Sequence, residues 1–133
     1  MQAWIGKKQV EHDVLTEGLI GRFRATLDSG ASGDTAAQGI HWCLCLPNAP
    51  TGSLDTDGHP ARGGFLPPIA LPRRMWASSA MEFHAPITAG AQIERQSQIA
   101  SIEEKTGQSG SLAFVTIDHR TFANGLLAVS EQQ

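Results

Sequence analysis

One stretch of this chain carries a helical apolar period. Leu15, Leu19, Phe23 and Leu27 recur at a spacing of four, with Ile20 beside them, and so share one stripe of a helix. Thr16 or Asp13 can cap its start, and Glu17 suits the positive end of the helix dipole. Arg22 and Arg24 fall on the solvent side, and Ser29 to Gly33 supply breakers. A helix from Thr16 to Asp28 is roughly 20 Å long. Its four stripe residues, fully buried, contribute roughly 6–12 kcal/mol before entropy. No other segment has so clear a helical period, so the stripe must be buried by something that is not a helix.

Downstream of Met75 the chain reads as strands. Residues 81–87 alternate apolar and polar, and Ala89-Gly90-Ala91 makes a turn. Residues 93–102 form a longer, more polar strand with one face in solvent. The stretch 105–110, with Gly107 and Gly110, is a turn, and 111–122 is the most β-prone segment. Asn124-Gly125 predicts a tight hairpin leading into a last strand at 126–131. The last three strands, joined by short turns, make an antiparallel meander. One helix followed by an antiparallel sheet is an α+β arrangement, and a sheet wrapped on a single central helix is the simplest way to bury the stripe.

Between helix and sheet lies the oddest region. The apolar run 40–47 ends in Pro47 and reads as a short buried strand. Residues 47–72 then hold six of the seven prolines. Loops this long without regular structure are uncommon in compact domains and are often functional.

Composition removes several classes of function. With 133 residues the chain fits one domain, and 41% hydrophobic against 17% charged residues is a globular balance. A net charge of −3, with no Lys/Arg run longer than two, argues against a nucleic-acid partner. No apolar stretch approaches the roughly 18 residues of a membrane span, and the first residues lack a charged head followed by a hydrophobic stretch. The expected compartment is the cytoplasm. Cys43 and Cys45 cannot build a disulfide framework; two apart on a strand, they face one side and pack as small hydrophobes.

Few residues offer chemistry. Asp55, Asp57 and His59 form the one local acid–base cluster, although Asp57-Gly58 is also ordinary turn chemistry. His12, His41, His84 and His119 are scattered and read as structural or solvated. Asp118 and His119 are adjacent on a strand and point to opposite faces, so they form no dyad. No nucleophile elbow, phosphate loop, dinucleotide fingerprint or metal-ligand spacing is present. Arg73 and Arg74 end the proline-stiffened loop. They can grip a phosphate or carboxylate, or pair with the protein's own carboxylates.

Several segments together resemble the N-terminal half of MaoC-like dehydratases. Asp57 to Pro60 and Gly64 to Ala77 carry the resemblance most specifically, above all Pro67-Pro68-Ile69 and Pro72-Arg73-Arg74-Met75-Trp76. Trp4-Ile5-Gly6, residues 25–28, His41-Trp42, residues 82–87, residues 105–117 and Ser130-Glu131 follow in the family's order. The nearest relatives by this resemblance are mesaconyl-C4-CoA (3-methylfumaryl-CoA) hydratases and 3-hydroxyacyl-thioester dehydratases.

That resemblance implies one MaoC-like hot-dog domain over residues 1–133: an antiparallel sheet around a central helix. Family members usually join two such halves. The second half carries an Asp-x-Asn-Pro-(aliphatic)-His run whose Asp and His activate water. Residues 55–60 have an Asp and a His but not the rest of that run, so no catalytic residue is assigned here. The implied function is a hydratase–dehydratase component that binds an enoyl-CoA or 3-hydroxyacyl thioester and needs no cofactor or metal. Its partner is a catalytic hot-dog half or a second copy. Arg73, Arg74, Trp76 and His59 are the expected substrate-binding residues. The alternatives are a non-catalytic acyl-CoA binding or regulatory domain and a hot-dog thioesterase. The thioesterase needs a carboxylate in the middle of the helix, whereas Glu17 and Asp28 lie at its ends.

Overall fold

A computed structural model describes residues 1–133. Its regular elements are β1 (Lys8–Val14), α1 (Glu17–Thr26), β2 (Ala80–Phe83), β3 (Gln92–Gly107), β4 (Gly110–Ala123) and β5 (Leu126–Gln132), with short 3-10 turns at Gln2–Trp4, Ile40–Cys43 and Thr51–Ser53. The strands form one antiparallel sheet in the order β1-β3-β4-β5-β2.

The meander β3-β4-β5 has the expected order, but β3 runs on to Gly107, so the turn expected over 105–110 is only the two residues before Gly110; residues 103–107 pair with 110–114 instead. Asn124 and Gly125 both have positive φ, 49° and 80°, the geometry of a two-residue hairpin whose twist matches its strands. The outer strands differ from expectation. β2 stops at Phe83 rather than continuing to 87, because Pro86 lacks the N–H that a ladder needs. It pairs with β5 at the sheet's far edge. β1 is an additional strand at the other edge. Its alternation is inverted: Val10 and Val14 are exposed, while Gln9, Glu11 and Asp13 face inward.

The inward polar side chains of β1 have partners. Arg95 on β3 donates to Glu11 at 2.6 Å and to the Cys45 carbonyl at 3.0 Å, and Asp13 accepts from the Cys45 N–H at 2.8 Å. These bonds fix the segment after the second 3-10 turn. They also explain why 40–47 is not a strand. Gly39 has a φ of 100° and starts the 3-10 turn, Cys45 sits at a φ of 55°, and Asp13 and Arg95 hold its backbone where strand pairing would be. Cys45 is buried and Cys43 half-buried, both free, and burial pushes the Cys45 thiol up.

α1 begins where Thr16 caps it: the Thr16 hydroxyl accepts from the Leu19 N–H at 3.1 Å. Its inner side joins Leu15, Ile40, Leu44, Ile87, Ala91, Ile93, Ala128 and Val129 in one core. The stripe is buried only in part. Leu15 and Ile20 are inaccessible, Leu19 and Phe23 are half-buried, and Leu27 is 56% exposed. The helix ends at Thr26, one residue short of Leu27, which therefore leaves the stripe. Arg24 is not a free solvent-side group either, since its guanidinium donates to the Gly33 and Thr35 carbonyls and straps the following loop to the helix.

Candidate functional site

The 47–72 loop is a hydrogen-bonded structure. Leu54 and Pro60 form a bridge, Asp55 N–H donates to the His59 carbonyl at 2.8 Å, and Ala61 N–H donates to Ser53 at 3.0 Å. Arg62 donates to the Ile69 and Leu71 carbonyls and so fastens the loop's descending arm. Pro67 is fully buried, and Lys7 reaches the Gly64 carbonyl. Prolines limit the freedom the unfolded loop has to lose, so this order is held at low entropic cost.

At the loop's tip, Asp55, Asp57, His59 and Arg74 come together. Arg74 lies 3.9 Å from Asp55 and 3.8 Å from Asp57, and the His59 ring lies 3.3 Å from Asp57. The His59 backbone N–H, at 3.0 Å, is the main reason the Asp57 carboxyl stays below the usual carboxylate range; it outweighs the opposing effect of burial, and the His59 ring and Arg74 add to it. Arg74 is thus matched by the loop's own carboxylates. Arg73 is exposed and has no ion pair. Trp76 stands apart from His59 and Arg74: its ring meets Trp42 edge-on at 5.4 Å, and both indoles are about half exposed.

Beneath these indoles lies a buried polar cluster that the sequence did not single out. Glu131 on β5 accepts from Trp42 Nε1 at 2.9 Å and from Ser79 Oγ at 2.9 Å, and its Oε2 lies 3.0 Å from His41 Nε2. The carboxylate is 4% and the imidazole 6% exposed. Burial raises the Glu131 pKa, but the hydrogen bonds from His41, Trp42 and Ser79 together outweigh it and hold the carboxyl below its ordinary value. The ionised Glu131 accepts from His41 Nε2, and the buried His41 Nδ1 has no partner. These three donors, the Glu131 trio, span both ends of the loop, with His41 and Trp42 just before it and Ser79 just after. The legible signal was phase: Glu131 is two residues from Val129 on one strand and so faces the core.

The remaining histidines and the sheet's open face add less. His119 bonds Ser97 at 2.7 Å while Asp118 faces the other way to Gln132, as strand alternation required. A concavity of about 640 Å³ lies over the sheet and is lined largely by polar residues. Arg120–Gln96 and Gln132–Asp118 satisfy one another across it, both at 2.9 Å, and leave no buried polar group in want of a ligand. No group of three or more metal-ligating side chains occurs, and no helix is long and apolar enough to cross a membrane.

A family model for hydroxyacyl-thioester dehydratase type 2 matches residues 39–133, from the 3-10 turn through β5. The chain belongs to that family. It is 41% identical over 136 residues to a mesaconyl-C(4)-CoA hydratase of Chloroflexus aurantiacus, covering 98% of this chain and 48% of the relative. The dehydratase-family chain thus spans about half the length of the curated relative it matches. Its fold is the hot-dog fold. A MaoC-like dehydratase from Rhodospirillum rubrum superposes with a TM-score of 0.62 at 14% identity, over 96% of this chain and 87% of that one. A chain of the ChsH1–ChsH2 complex from Mycobacterium tuberculosis gives 0.62 at 11% identity, over 95% and 79%.

Proposed function

We propose that this chain is the substrate-binding half of an acyl-thioester hydratase–dehydratase and works with a catalytic hot-dog half. The observation that carries the reading is where the family match falls. It begins at Gly39 and takes in the Glu131 trio, the ordered loop and strands β2–β5. Adding water to an enoyl thioester needs a base for the water, an acid for the α-carbon and donors for the thioester oxygen. No exposed carboxylate–imidazole pair of the family's catalytic spacing is present here. What the chain offers is a binding wall: the half-exposed Trp42 and Trp76, with the free cation Arg73 three residues before the second indole.

A CoA thioester brings phosphates for that cation and a flat adenine or an extended pantetheine arm for the indoles. Arg73 is the primary anion contact, because Asp55 and Asp57 already occupy Arg74. His59 takes a secondary place through Asp57. Edge strand β2, four residues long, ends on the exposed Phe83, follows the exposed Met75 and Trp76, and gives a partner half an edge to extend. No cofactor or metal is needed for this chemistry. Near-neutral net charge makes local cations decisive for a polyanionic ligand. Crotonyl-CoA is therefore expected to quench the fluorescence of the Trp42–Trp76 pair. Arg73→Ala is expected to weaken binding about three- to tenfold, the worth of one charge-assisted hydrogen bond at a partly wet site. Unchanged affinity in Arg73→Ala, with loss in Arg74→Ala, moves the contact to Arg74.

A further inference from the structure

Both indoles of the proposed wall are tied to one buried carboxylate. Glu131 Oε2 accepts from Trp42 Nε1 at 2.9 Å, which fixes the first indole directly. The second is held at one remove. Trp76 Nε1 donates to the Ser78 carbonyl at 3.0 Å, and the next residue, Ser79, donates its hydroxyl to Glu131 Oε1 at 2.9 Å. The rings then meet at 90° with their centroids 5.4 Å apart. Half-exposed side chains ordinarily sample several rotamers, and ordering them on binding costs affinity. Here each indole commits its only polar hydrogen to an anchored acceptor before any ligand arrives. The carboxylate itself is buried and out of a ligand's reach. It takes donors from both ends of the loop, so it sets the spacing of two segments that the whole loop separates in sequence.

We infer that Glu131 is the positioning residue of the indole pair: acting on Trp42 directly and on Trp76 through Ser79, it presets both rings and so raises the affinity of a site it does not touch. The inference rests on the proposed thioester-binding function and extends it to the way the wall is preorganised. The rival is a clasp with a purely structural role. Such a clasp holds the loop in place, and its effect on the ligand does not pass through Trp76.

The test is a double-mutant cycle on the full chain, with crotonyl-CoA titrated by calorimetry. Ser79→Ala removes a hydroxyl and leaves Glu131 with its His41 and Trp42 donors. It is expected to weaken binding about three- to tenfold, the cost of ordering one freed side chain, and to reduce the near-ultraviolet dichroism of the coupled indoles. In a Trp76→Leu background the same change is expected to move affinity by less than about 1.5-fold, because the ring it positions is gone. Glu131→Gln keeps an oxygen for Trp42 and an N–H that the Ser79 hydroxyl can accept, and is expected to bind within about twofold of wild type, whereas Glu131→Ala loses about tenfold. The Ser79 cycle decides the matter should Glu131→Ala fold poorly. Wild-type affinity or unaltered dichroism in Ser79→Ala, or an equal loss with and without Trp76, overturns the positioning role alone. Equal losses in Glu131→Gln and Glu131→Ala overturn it as well. Failure of the wild type to bind crotonyl-CoA overturns the function on which the role rests, and the role with it.

Discussion

Glu131→Ala is expected to lower folding stability by about 3–5 kcal/mol, because each buried donor left without its acceptor costs about 1–3 kcal/mol. Three donors lose their acceptor at once: the His41 imidazole, the Trp42 indole and the Ser79 hydroxyl. At this chain length the melting temperature falls by roughly 10–20 °C. Glu131→Gln keeps one acceptor oxygen and is expected to lose about 1–2 kcal/mol. The pH dependence has a definite sign. A carboxyl held below its ordinary value contributes stability that is complete above that value, 4.5 for glutamate, and is lost as the pH falls through the lower folded-state value. Thermal melts of the wild type are therefore expected to weaken on acidification, with part of that acid limb missing in Glu131→Gln. Equal melting temperatures for wild type and Glu131→Ala at pH 7 contradict the account of the trio as the clasp at the loop's base.

Leu15→Ala is expected to cost about 2–5 kcal/mol, whereas Leu27→Ala is expected to stay within about 0.5 kcal/mol. The two leucines share the apolar stripe in sequence but not in space. Leu15 is wholly inaccessible, and its backbone is bonded on both sides to the turn before β3, at 3.1 Å to Ala91 and 2.7 Å from Gly90. Leu27 lies beyond the last helical residue and is 56% exposed. Denaturant titrations of both variants measure the contrast. A loss at Leu27 as large as that at Leu15 means that the stripe is buried after all.

The same contrast shows what the sequence could and could not reveal. Strands β3 to β5 were legible because Gly and Asn mark their turns and their apolar positions keep a period of two. The helix was legible from its period, its cap from Thr16, and its end only to within a residue or two, which cost Leu27. β1 was hidden because burial and hydropathy run opposite ways in it; its polar side chains face inward to serve Arg95 and the Cys45 backbone. The turn at 40–43 looked like a strand because apolarity without period does not separate the two, and only the positive φ of Gly39 and Cys45 decides. At the candidate site, residues clustered in sequence were found in sequence: Asp55, Asp57, His59 and Arg74 do meet. The Glu131 trio was not, because it joins residues up to 90 positions apart, and only the phase of Glu131 with Val129 hinted at it.

The account's central claim is that this chain binds the thioester and leaves the chemistry to another half. Hydration of crotonyl-CoA, followed by loss of the enoyl thioester's ultraviolet absorbance, measures it most directly. The purified chain is assayed alone and mixed with a hot-dog half that carries the Asp-x-Asn-Pro-(aliphatic)-His run. The account predicts no turnover above buffer for this chain alone, and turnover by the mixture that exceeds that of the catalytic half by at least about tenfold. Steady turnover by the chain alone that survives His59→Ala and Asp57→Asn, or a mixture no faster than the catalytic half, contradicts it.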